Sequence, residues 1–150
     1  MKKKFSVKWK ASKQPRKQRK YRHNASLHIR RKMMSVNLSK ELRKKYGMRN
    51  FPAVKDDLVK VLIGEFKDKT GKVSIVNLKK LKITIDGIYR TKKDGTKIPV
   101  KFDPSKLQIK ELNLEDKKRK ETLERKNIIS NKEQTTKDQK LIINKNKSNK

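Results

Sequence analysis

The chain has 150 residues and a formal net charge of +31, from 46 Lys and Arg against 15 Asp and Glu. Only 31% of the residues are hydrophobic, against ~45–50% in an ordinary globular domain, so there is material for one small core and no more. The lack of Cys excludes a disulfide framework, a thiolate nucleophile and Cys-ligated zinc, and no run of ~18 apolar residues is present to span a membrane as a helix.

The charge is uneven. Residues 1–50 hold nineteen Lys and Arg and a single acid, Glu41; residues 51–110 hold 15 against 7, and residues 111–150 hold 12 against 7. A segment with nineteen cations repels itself and cannot collapse alone. Beside a phosphate backbone the same charge is drawn in, driven by counterion release. Residues 1–22 therefore read as a basic extended arm with no fold of its own. No apolar stretch follows its charged start, so a secretory signal is not expected. Phe5, Trp9 and Tyr21 lie scattered in it. They suit RNA better than duplex DNA, because splayed bases stack on aromatic rings; each could instead pack on protein.

Residues 23–50 read as an extension of short helices. Ser26 is placed to cap a helix running to Met34, with Ile29 and Met33 on one face and Arg30, Arg31 and Lys32 fanned around the others. A second helix is bounded by Ser39 as cap, Glu41 in the first turn, Lys44 and Lys45 in the last, and Gly47 after it. His23 and His28 have no Cys or acid near them; they suit hydrogen bonding or stacking on RNA better than metal binding.

Residues 51–112 alternate as strands do. Val59, Val61 and Ile63 form one series, Val73 and Ile75 a second, and Leu81, Ile83 and Ile85 a third. Ile88–Thr91 and Lys97–Phe102 flank Asp94-Gly95, a hairpin signal. Leu107 and Ile109 make a last short strand, and Pro99 confines its own strand to an edge or a bulge. About five short strands with turns at Gly64, Gly71 and Gly95 predict a small twisted barrel. Gly64 and Gly71 are expected to supply positive φ at the two ends of a loop. The adjacent acids Asp56 and Asp57 are expected to end a strand or pair with Lys, not to form a catalytic pair. Residues 113–127 predict a C-terminal helix capped by Asn113, and residues 128–150, rich in Lys and Asn, predict a disordered tail.

The segment from Asp57 through Gly64 to Gly71 and Val73 resembles the KOW motif, which sits in a small SH3-like barrel. Around it, His28-Ile-Arg-Arg-Lys-Met33, Leu38-Ser-Lys-Glu-Leu-Arg-Lys-Lys-Tyr46, Met48-Arg-Asn-Phe-Pro52, Lys55-Asp-Asp57, Asp103-Pro-Ser-Lys106 and Asp116-Lys-Lys-Arg-Lys-Glu121 through Lys126 follow in order. Together they resemble the eukaryotic and archaeal large-subunit ribosomal protein twenty-six family, counterpart of bacterial protein twenty-four, over about residues 20–126. Asp68 stands where that family commonly has glycine, in a loop one residue shorter than usual.

The resemblance implies a mainly β fold, an SH3-like barrel with a basic N-terminal extension and a C-terminal helix plus tail. It implies a structural, non-enzymatic constituent of the large ribosomal subunit, without cofactor or metal. Such a protein binds rRNA near the nascent-chain tunnel exit and supports subunit assembly. Its partners are large-subunit rRNA, neighbouring large-subunit proteins and nascent-chain or targeting factors, with no membrane. Its place is the ribosome in the cytoplasm, with nuclear or nucleolar assembly in a eukaryote. The candidate rRNA contacts are Lys8, Trp9, Lys10, Lys13, Arg16, Lys17, Arg19, Lys20, Arg22, His23, His28, Arg30, Arg31, Lys32, Lys40, Arg43, Lys44 and Arg49. A regulatory KOW-type nucleic-acid module bound to polymerase or chromatin remains the alternative.

Overall fold

Charge alone predicts an unfolded start to the chain, yet Pro15–Asn24 forms a helix, α1. Pro15 sits at its first position, where proline's fixed φ suits the helix and its missing N–H costs nothing. The residues that follow are good helix formers, and Arg22 and His23 fall in the last turn, where cations complement the helix dipole. A 3₁₀ turn, Val7–Ala11, precedes it. The Gln18 side chain ties the two together by donating to the carbonyls of Lys10 and Ser12. Tyr21 is buried and its ring lies 5.1 Å from that of Phe5, so these two aromatics pack on protein. The computed structural model describes residues 5–125; the expected tail lies outside them.

Helix α2, Leu27–Met33, follows with Ser26 at the N-cap, but the Ser26 hydroxyl meets His28 and caps no backbone N–H. The extension expected to be helical also carries strands. Strand β1, Ser35–Leu38, buries Val36 and Leu38 completely, and β2, Asn50–Pro52, buries Phe51. Between them lies α3, Lys40–Tyr46, with the predicted ends: Ser39 Oγ accepts from Leu42 N, and Gly47 closes the helix. The β1 signal is only four residues long, and its neighbours are remote. It pairs antiparallel with β2, Val36 opposite Phe51, and parallel with β7 (Leu107–Glu111), Leu38 opposite Ile109.

The remaining strands are β3 (Leu58–Val61), β4 (Thr70–Asn77), β5 (Lys82–Thr91) and β6 (Lys97–Phe102). The order across the sheet is β2-β1-β7-β3-β4-β5-β6. The five strands β3–β7 fall where about five were expected, and β1 and β2 of the extension bring the sheet to seven among the described residues; the segments on either side of Gly87 join into one long strand with a register shift between Thr84 and Tyr89. Pro99 lies on β6, the edge strand, and the β5–β6 hairpin turns at Asp94-Gly95 as predicted. Inward residues from β1, β3, β4, β5 and β7 fill one core, including Val36, Leu38, Val59, Val61, Val73, Ile83, Leu107 and Ile109, each with no exposed area. The domain is mainly β and barrel-like. Fully burying a side chain of this size stabilises by roughly 1.5–3 kcal/mol, so even a small core of this kind holds the sheet.

The turn glycines differ in what they do. Gly64 has φ +108, a backbone that favours glycine. Gly71 does not need positive φ, contrary to the expectation. It needs space, because a Cβ there would stand 2.7 Å from the Asp86 carbonyl oxygen and 2.7 Å from Ile85 Cγ2. Asp68, in the same loop, takes φ +66, the left-handed region that Asp tolerates and glycine prefers.

Asp57 is completely buried and pairs with arginine, not lysine. Its Oδ2 accepts from Val54 N at 2.9 Å and Arg119 Nη2 at 2.7 Å; its Oδ1 accepts from Asn113 N at 2.9 Å and Arg119 Nη1 at 2.7 Å. Arg119 also lies over the Phe51 ring, 5.3 Å from its centre. Arg119 belongs to the C-terminal helix, α4, which begins later than expected, at 117 (117–125). Asp116 caps it by accepting from Lys118 N, while Asn113 Oδ1 accepts from Glu115 N in the turn before. The bidentate pair and the buried Leu123 clamp α4 to the barrel.

Candidate nucleic-acid interface

The fold places most of the candidate contacts on four short elements. Lys8, Trp9 and Lys10 lie in the 3₁₀ turn; Lys13 lies just after it; Arg16, Lys17, Arg19, Lys20, Arg22 and His23 lie on α1. His28, Arg30, Arg31 and Lys32 lie on α2, Lys40, Arg43 and Lys44 on α3, and Arg49 just before β2. The Lys side chains named here are exposed, as are Arg16, Arg19, Arg22, Arg31 and Arg49. Along α1 the 100° step per residue spreads its cations around the helix, and Lys17, four residues before the buried Tyr21, flanks the packed face.

Two arginines depart from the fanned arrangement. Arg30 folds back along its own chain, donating from Nε to the Ala25 carbonyl at 3.0 Å and from Nη2 to the His23 carbonyl at 2.6 Å. It thereby satisfies acceptors that α1 leaves open at its C-terminus and sets the angle between α1 and α2. Arg43 does the same for the preceding strand, its Nε donating to the Leu38 carbonyl at 2.9 Å. Both are half-buried. Arg31 and Lys32 keep their heads in solvent. His23 Nδ1 meets Asn24 Oδ1 at 3.1 Å and His28 Nδ1 meets Ser26 Oγ at 3.2 Å. Among the described residues no cluster of His or acids could hold a metal ion.

The acids are used elsewhere. Asp68 pairs with Lys60 at 2.7 Å, Asp103 with Lys82 at 2.6 Å and Glu65 with Arg90 at 2.7 Å, all on the barrel. The hydrogen bond and charge of Lys60 hold the Asp68 carboxyl below the usual carboxylate range, and hydrogen bonds from Thr96 do so for Asp94. These groups stay ionised wherever an ordinary carboxylate does. Their favourable effect on folding is present above the unfolded-state value and is lost as pH falls through the lower folded value. With Glu41 the single acid in fifty residues, the extension keeps an uncompensated positive field, which raises the local concentration of any polyanion.

What sequence reasoning missed is the apolar surface between these cations. Tyr21, Ile29 and Met33 line a cleft with Leu81 and Pro104 of the barrel. The signal was faint: Ile29 and Met33 share a helix face, but Leu81 and Pro104 are some fifty and seventy residues away in sequence.

Fold and surface together define a small, strongly basic, mainly β domain with a helical N-terminal extension. Residues 12–126 match the family described as eukaryotic ribosomal proteins L26 and their archaeal counterparts, and the chain belongs to that family. It is 47% identical to the large ribosomal subunit protein uL24 of Korarchaeum cryptofilum over 78% of this chain and 89% of that one. It is 50% identical to the protein of the same name from Methanoculleus marisnigri, over 75% and 93% of the two chains. The Methanosarcina barkeri protein is 47% identical over 72% and 93%.

Proposed function

We propose that this chain is a structural constituent of the large ribosomal subunit that binds rRNA through its N-terminal extension, with no chemistry of its own. The observation that carries this reading is the set of exposed cations on the 3₁₀ turn, α1, α2 and α3, facing one acid, on a scaffold anchored to a rigid core. The mechanism is electrostatic. Exposed Lys and Arg neutralise phosphates where rRNA segments converge, and the barrel fixes the direction in which each short element points. Family membership supports the same reading, since the relatives carry the name of a large-subunit protein. On this reading its place is near the nascent-chain tunnel exit, beside other large-subunit proteins and within reach of nascent-chain or targeting factors.

The extension divides by role. Arg31 and Lys32 contact phosphate, while Arg30 and Arg43 mainly hold the extension's shape. Equilibrium binding to an rRNA fragment across a salt series tests this. Neutralising about ten phosphates gives a log–log slope of roughly −7 to −9. The R31A/K32A variant makes the slope shallower by roughly 2. Arg30→Ala changes the slope by less than half as much and loses about 1 kcal/mol of stability instead, the worth of its carbonyl hydrogen bonds. An unchanged slope in R31A/K32A means that these two residues face protein.

A further inference from the structure

The cationic extension does not lie flat on the barrel. Between the 3₁₀ turn, α1 and α2 on one side and the barrel on the other is a cleft of about 650 Å³. That is within the ~300–1,000 Å³ of pockets that hold small organic molecules. Its lining is divided by exposure. The exposed charges at the rim are Lys10, Arg22 and Lys32, contributed by three different elements. The floor is apolar and half-buried or buried: Tyr21, Ile29, Met33, Leu81 and Pro104. The single acid in the lining, Asp103, is held by Lys82 Nζ at 2.6 Å, so the rim stays positive.

Leu81 is the second observation. It has φ +53, a left-handed backbone that a non-glycine residue rarely adopts. The β4–β5 turn, residues 78–81, requires this conformation of its last residue. The turn thereby sets the half-buried Leu81 in the cleft lining that Met33 shares.

Resting on the rRNA reading above, the geometry points to a site for one unstacked nucleotide: the base lies on the apolar floor, and its flanking phosphates meet Lys10, Arg22 and Lys32. Charge complementarity selects the occupant. A neutral apolar ligand makes no use of three converging cations, and a duplex is too wide to lower a base between α2 and the barrel. An extruded base with a phosphate on either side matches both halves of the lining, and unstacked bases are what sequence-selective RNA binders hold. The cleft thus adds to the phosphate-driven affinity of the extension a point of register along the RNA.

The full chain and two probes test this: a 4-thiouridine-substituted single-stranded oligouridylate of about eight nucleotides, and an RNA duplex of about 16 base pairs. Ser105→Trp fills the cleft from its exposed barrel side without touching a charge. The expected result is a loss of affinity for the oligouridylate about tenfold greater than for the duplex, the size of one lost base stack. Crosslinks of the unsubstituted chain fall on Tyr21, Met33 or Leu81. Should S105W fail to fold, K10Q/R22Q/K32Q with the crosslink map decides the matter. Crosslinks confined to residues outside the cleft, or equal losses for the two probes, overturn the nucleotide site. If both probes still bind with a steep salt slope in that case, the phosphate-binding reading survives alone; if neither probe binds, that reading falls too.

Discussion

Asp57→Ala lowers the unfolding free energy by roughly 3–5 kcal/mol, the cost of leaving a buried charge without its partner. The carboxylate is fully buried and accepts from four donors, two on Arg119 and two on the backbone at Val54 and Asn113. Removing it leaves the 7% exposed Arg119 guanidinium facing Phe51 and the Pro52 carbonyl and orphans two N–H groups. Small domains are stable by only ~5–15 kcal/mol, so the variant loses a large share of its stability, and the clamp of α4 to the barrel weakens with it. Asp57→Asn keeps the shape and part of the acceptor capacity and falls between. Urea unfolding followed by far-ultraviolet circular dichroism measures the effect. A loss under about 1 kcal/mol in D57A would show that water reaches this pair and that α4 is held by Leu123 alone.

Gly71→Val is the second large effect. Its Cβ would stand 2.7 Å from a backbone oxygen of β5, and a carbonyl in a paired strand cannot rotate away as a side chain tip can. Overpacking costs about 1–3 kcal/mol where side chains can adjust, and here the obstacle is main chain, so the loss falls at or above the top of that range. Gly64→Ala gives the contrast. No atom lies within 4 Å of its added Cβ, so the cost is only that of the left-handed backbone, roughly 1–2 kcal/mol. Thermal melts of both variants rank them. Equal losses would mean that β4 and β5 are further apart than the structure has them.

The strands of the barrel and the ends of α3 were legible because their signals are local. Val59 and Val61 alternate in one short run, Asp94-Gly95 names its own turn, and Ser39 and Gly47 bracket seven residues. Elements whose stability comes from elsewhere were not legible. Strand β1 is four residues whose partners begin at Asn50 and Leu107. Asp57 meets Arg119 across 62 residues, and no spacing rule pairs them. Helix α1 was hidden by its charge, which argues for disorder until Pro15 and the buried Tyr21 are weighed against it. The same limit applied to the interface. Composition pointed to a polyanion, and it could not tell that Arg30 turns inward while Arg31 and Lys32 face out, because that depends on carbonyls left open at the end of α1.

The central claim is that this chain is built into the large subunit through rRNA. Sedimentation of cell extract through a sucrose gradient at high salt tests it most directly. Peripheral proteins held by a few charges dissociate there, while a protein whose extension is threaded among rRNA segments and anchored by a folded domain stays bound. The account predicts that the chain remains with the large-subunit peak; recovery only in the light fractions at the top would contradict it.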